Sequence, residues 1–213
     1  KSKDFLVLTF TPKEALTSEN SINNILSLKY KIQSLDWVHS VVTILDVPLL
    51  ESSDEPLMDR IKNFRTLKDE NIDKERAFNE ILNSPVFKNL VISEDATTTG
   101  IIVNLKRKKF LESSAFDNEK EFEDYKDKLK SENHANIKEI REVIDSFKNI
   151  GKIHLGGIPM IADDMMTFIK KDIIVFGFGV FAFIIITLWF VFRKTLWITI
   201  PISSCFFAVI IMI

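Results

Sequence analysis

Residues 173–192 read IIVFGFGVFAFIIITLWFVF, twenty positions without a charge. As a helix rising ~1.5 Å per residue, such a run spans ~30 Å, the thickness of a bilayer hydrocarbon core. A second apolar run, residues 196–213, follows after only Arg193, Lys194 and Thr195. Pro201 falls inside it, a kink that membrane helices tolerate. Two such runs so closely linked predict a transmembrane helical hairpin, 173–192 and 196–213, rather than two buried core helices. Arg193 and Lys194 place the turn in the cytoplasm, because short cytoplasmic loops collect basic residues. Trp189 and Trp197 flank that turn as an interfacial aromatic belt does. Residues 1–170 are then periplasmic or extracellular, in a multi-pass protein of the cell (inner) membrane. Lys170 and Lys171 sit at the opposite interface.

Charge divides the chain in the same place. All 30 acids and 26 of the 28 bases precede Ile173. The leading part is therefore weakly acidic, which argues against a nucleic-acid partner, since such partners need a basic face. The single cysteine, Cys205, excludes an internal disulfide and reads as a buried thiol of the second apolar run. Lys1 in place of Met, and an apolar run still open at Ile213, suggest a piece of a longer protein.

The leading part alternates strands and helices. Residues 4–10 (DFLVLTF), bounded by Pro12, read as a buried strand. Residues 18–35 read as a helix with Ser18 as N-cap and Ile22, Ile25, Leu28, Ile32 and Leu35 on one face. Residues 37–45 (WVHSVVTIL) are β-branched and read as a second strand. Pro56 opens a short helix carrying Leu57, Ile61 and Phe64. Asp73 caps another that ends at Ser84-Pro85. Residues 89–93 and 100–106 read as a hairpin joined by the 94–99 loop. The charged stretch 108–132 reads as an exposed excursion, a loop or polar helix. Residues 136–150 form a helix striped by Ile137, Ile140, Ile144 and Phe147 and stopped by Gly151. Residues 152–155 are a final strand. Gly156-Gly157 turn the chain, and Pro159 opens a helix able to run straight into the membrane. The order β-α-β, hairpin strand, α-β is the split βαβ, ferredoxin-like pattern of an α+β domain covering 1–157. An amphipathic connecting helix, 158–172, follows.

Chemical motifs are sparse. Neither GxxxxGK[ST] nor GxGxxG is present, so no phosphate-cradling loop is expected. His39, His134 and His154 lack HExxH or CxxC company, which gives no metal site and no cofactor. No nucleophile–base constellation points to an enzyme. Asp163 and Asp164 read as a solvated first helical turn favoured by the helix dipole, or as a cation contact at the mouth of a pathway. Asp172 reads as an anchor at the start of the span. No acid or histidine lies between Ile173 and Ile213, so these residues hold no intramembrane proton relay.

The stretch GGIPMIADDMMTFIKKDIIVFGFGVFAFIIITLWFVFRKTLWITIPI resembles resistance-nodulation-division (RND) exporters, in particular the MMPL-like, sterol-sensing-domain-related branch. Such proteins show a Gly-x-Pro strand exit, an amphipathic helix, an acid at the membrane boundary, a long apolar helix and a basic FR turn. Here these fall on Gly157, Pro159, Asp163, Asp172, Phe192 and Arg193. The resemblance implies that 1–157 is an extracytoplasmic porter domain, followed by the second and third membrane helices. It further implies a proton-gradient-driven secondary transporter, without ATP, that exports lipids or other hydrophobic molecules. The partners implied are the lipid bilayer, a hydrophobic or lipid substrate and the rest of the same transporter chain, with homo-oligomerisation open. The rival expectation is a membrane-anchored extracytoplasmic module that binds or senses a ligand.

Overall fold

The computed structural model describes residues 4–49, 64–69, 72–106 and 111–192, together with 203–204, 207–208 and 211. It is a mixed α/β chain that divides into two compact units, Lys1–Asp163 and Asp164–Ile213.

The first unit is built on a four-stranded antiparallel sheet of strands β1 (Phe5–Pro12), β2 (Val38–Val42), β3 (Thr99–Leu105) and β4 (Gly151–Gly156), in the order β2-β3-β1-β4. β1 is a central strand, paired with β3 on one edge and β4 on the other, and its side chains alternate. Leu6, Leu8 and Phe10 point into the core with no solvent exposure, and the intervening residues take the other face. It pairs with β3 through Leu8 and Ile101 and with β4 through Leu8 and Leu155. β3 in turn pairs with β2.

Helix α1 (Glu19–Gln33) starts where expected: Ser18 Oγ accepts a hydrogen bond from the Ser21 amide at 3.1 Å. Its stripe of Ile22, Ile25, Leu28 and Ile32 is buried. Helix α2 (Lys74–Asn83) is capped by Asp73, whose carboxylate accepts from the Glu75 and Arg76 amides, and it ends at Ser84. Ala77, Phe78 and Ile81 are its buried face.

Several expected boundaries move. The second strand stops at Val42 rather than running to Leu45. Thr43 and Asp46 form a reciprocal capping box that winds Ile44–Asp46 into a 3-10 turn. That turn buries both Ile44 and Leu45, which adjacent strand positions facing opposite ways do not readily do. Residues 89–93 are not a strand. Asn89 adopts a left-handed φ of 64° and its amide bonds back to the Ile92 carbonyl, leaving only isolated bridges at Lys88–Ile92 and Ile92–Thr99. The helix expected over 136–150 is helix α3, Glu119–Ser146. Asn118 caps it by accepting from the Glu121 amide at 2.8 Å, so the charged excursion from 119 onward is a polar helix. Only Ile137, Ile140, Val143 and Ile144 of α3 are buried.

Gly151 does not stop a helix, since α3 has already ended at Ser146. It opens β4, where a Cβ would lie 2.5 Å from the Thr11 carbonyl oxygen and 2.6 Å from the Phe10 ring. Close strand approach, not helix termination, requires glycine there. The proposed short helix at Pro56, Leu57 and Ile61 lies outside the described residues; Phe64 is described and exposed.

The last element is helix α4, Ile158–Phe192, 35 residues without interruption. Among the described residues it is the one helix long and apolar enough to cross a membrane, and none of its most apolar 18-residue window is buried. Of the second expected span, 196–213, only five residues are described, all helical. Pro201 and Cys205, like the rest of that run, lie outside them.

Candidate functional site

Three of the residues singled out from sequence, Gly157, Pro159 and Asp163, lie at the root of α4, at the C-terminal end of the first unit. β4 delivers the chain to Gly156, opposite Val7 of β1. Gly157 then turns it with φ +127°, where a Cβ would lie 3.0 Å from the Phe5 carbonyl oxygen. Both the left-handed backbone and the close approach call for glycine. The Ile161 amide bonds the Gly157 carbonyl, which starts the helix. Pro159, in the first turn, needs no amide donor there. Met160 packs against the hydrophobic core of the sheet unit.

Two polar contacts reach this root from α3. Asn133 Nδ2 donates to the Pro159 carbonyl at 2.9 Å, and His134 Nδ1 lies 2.9 Å from Asp163 Oδ1. Asp163 is 8% exposed, whereas the His134 side chain is 59% exposed. The reading of Asp163 as a solvated first-turn acid is therefore corrected. It is the only buried residue of α4 among those described. Asp164 is partly exposed and Asp172 is exposed. Arg193 and Lys194, expected as the cytoplasmic turn, lie outside the described residues. Asn133 drew no notice in the sequence, and His134 was read there only as a histidine without metal-site company. They stand 26 and 29 residues from their partners, and no helical or strand period links such positions.

Beyond this root, α4 presents apolar side chains outward: Ile173, Phe176, Phe178 and Phe183 are all exposed. Gly179 leaves a shallow notch between Phe176 and Phe183. No charge interrupts this surface after Asp172.

A second polar cluster lies inside the sheet unit. Asp46 receives Lys29 Nζ at 2.6 Å, Lys68 Nζ, and both the amide and hydroxyl of Thr43. Burial alone raises the pKa of Asp46, but these donors outweigh it and hold the carboxyl at about 2. Burial pushes the Lys29 ammonium down. The cluster ties α1 to the 3-10 turn and to the 66–69 segment. Among the described residues no group of three or more His, Cys, Asp or Glu is arranged to hold a metal ion.

No curated protein matches the chain. Residues 124–213, which take in most of α3, all of β4 and all of α4, match the model of the MMPL family, consistent with a fragment of an MMPL/RND-type exporter.

Proposed function

We propose that the chain is part of a proton-gradient-driven RND-type secondary transporter that exports lipids or other hydrophobic molecules. The observation that carries this reading is α4. It is one uninterrupted helix from the sheet unit into an uncharged, outward-facing apolar run, in a segment that matches the MMPL family. A break near Lys170–Asp172 would have separated the two parts mechanically, and the helix has none. A continuous helix transmits axial displacement with little loss.

On this reading the sheet unit is the extracytoplasmic porter-like domain. Its β2-β3-β1-β4 order, with α1 joining β1 to β2 and α3 joining β3 to β4, supports the ferredoxin-like split βαβ arrangement. The domain lies in the periplasm or outside the cell and passes substrate. The apolar helix lies in the inner membrane with further helices of the same chain. The proton-carrying groups belong to other membrane helices, because none is present from 173 to 213.

The test is transport of a fluorescent lipid analogue by the full-length protein in sealed vesicles carrying an imposed proton gradient. Export that stops when a protonophore collapses the gradient supports the proposal. Export that continues unchanged without a gradient, or absence of export by a correctly folded protein, contradicts it.

A further inference from the structure

We propose that Asn133 and His134 are positioning residues that clasp the root of α4 to α3, so that movement of the membrane helix reaches the sheet unit instead of being absorbed in a hinge. The inference rests on the transporter reading above and assigns a part to two residues outside it.

Two helices leave the core at this one place. On α3, the first buried side chain is Ile137, and nothing between Glu119 and Asn136 is buried. On α4, Met160 packs against the core, Asp163 is buried, and no described residue after it is. Ile158 and Ile161, on the first turn of α4, are 78% and 53% exposed. Among the described residues apolar packing at the root therefore comes chiefly from Met160, and apolar packing alone does not fix a helix's direction.

The clasp supplies what packing does not. Pro159 and Asp163 are four residues apart, one above the other on a single face of α4. Their partners are adjacent on α3. One contact would leave a pivot, but two contacts a turn apart resist both rotation about the helix axis and sliding along it. The identity of the buried residue points the same way. The only buried residue of α4 among those described is a carboxylate, and a carboxylate is costly to bury without a partner. His134 satisfies it at 2.9 Å from a half-exposed position. An apolar residue would fill the same space without fixing a direction; the hydrogen bond fixes one.

The experiment uses the full-length protein in lipid vesicles, in a cysteine-free background, with spin labels at Lys138→Cys on α3 and Thr167→Cys on α4. Both positions are exposed. The distance distribution between the labels should be narrow in the parent and broad in His134→Ala and in Asn133→Ala. His134→Gln keeps an N–H donor and should restore the narrow distribution. In the transport assay the alanine variants should lose about tenfold in maximal rate with half-saturation unchanged, and His134→Gln should recover most of it. His134→Leu keeps the bulk without a donor and serves if the alanine variants fold poorly; it should be broad, and a narrow distribution in it overturns the clasp. A narrow distribution in a folded Asn133→Ala/His134→Ala double variant overturns the clasp, as does a transport loss that His134→Gln does not relieve. If the parent transports nothing, the exporter reading fails, while the label distances still decide the clasp.

Discussion

Phe10 in β1 has no solvent exposure, whereas Phe176 and Phe178 in α4 expose 70% and 73% of their surface. The same side chain finds its partners within the chain in one region and, among the described residues, is left uncovered in the other. In the sheet unit, strand alternation and helix stripes aim apolar groups at one another, and the hydrophobic effect is satisfied internally. Over residues 173–192 of α4 the apolar surface runs around the whole helix, so no single face can be turned to a core. That helix is long and apolar enough to cross a membrane.

Truncation tests that contrast most strongly. Phe10→Ala should cost about 3–5 kcal/mol, read from denaturant unfolding of the sheet unit. Phe178→Ala should change the stability of that unit by under about 0.5 kcal/mol. A large loss at Phe178 would show α4 packed against protein.

Glycines give the next largest difference. Gly151→Ala places a Cβ against the Thr11 carbonyl and should destabilise by about 1–3 kcal/mol, measured as a lower unfolding midpoint. Gly179→Ala meets nothing within 4 Å and should be neutral, or raise helix stability by up to about 1 kcal/mol. A destabilised Gly179→Ala would mark the notch as a site of close helix packing.

Acid should act on one region and not on the other. The Asp46 pKa is held at about 2, below the ordinary 3.8, so its ion pairs contribute stability that is present above the ordinary value. That stability is lost as the pH falls from 3.8 through about 2. Because the carboxylate is partly solvated, the contribution is on the order of 1 kcal/mol. Asp46→Asn should flatten that part of the midpoint-against-pH curve. Residues 173–192 carry no titrating group and should contribute no slope.

The smallest effect sets the two halves of α3 apart. Asn118→Ala removes the acceptor for the Glu121 amide and should cost about 0.5–1 kcal/mol. Amide exchange should quicken over 119–130 while 137–144 stays protected. Equal quickening in both halves would mean that α3 opens as one unit.

How much of this was readable in the sequence follows the range of the interactions. Ser18 with its isoleucine stripe, Asp73 with α2, and the alternation of β1 are local patterns, and each placed its element within a few residues. The early end of β2 depends on a reciprocal bond between Thr43 and Asp46, which looks apolar and β-branched until the cap is formed. The first half of α3 has no buried stripe. It is held by the Asn118 cap and by ion pairs such as Lys130 with Asp127, so hydrophobic periodicity was silent there. The role of Gly151 and the burial of Asp163 depend on distant partners, Thr11 and Phe10 for the first and His134 for the second. The root of α4 was located from Gly157 and Pro159, but what grips it was not.

On the proposed function α4 runs unbroken from the sheet unit into lipid. A spin-label accessibility scan over 158–191, in the full-length protein in vesicles, decides this. An unbroken helix gives a 3.6-residue period without a break at 170–172. Labels from 173 onward should then collide readily with dissolved oxygen and rarely with a water-soluble nickel complex. Loss of the period at 170–172, or free access of the nickel complex to the middle of the apolar run, would refute the unbroken membrane helix.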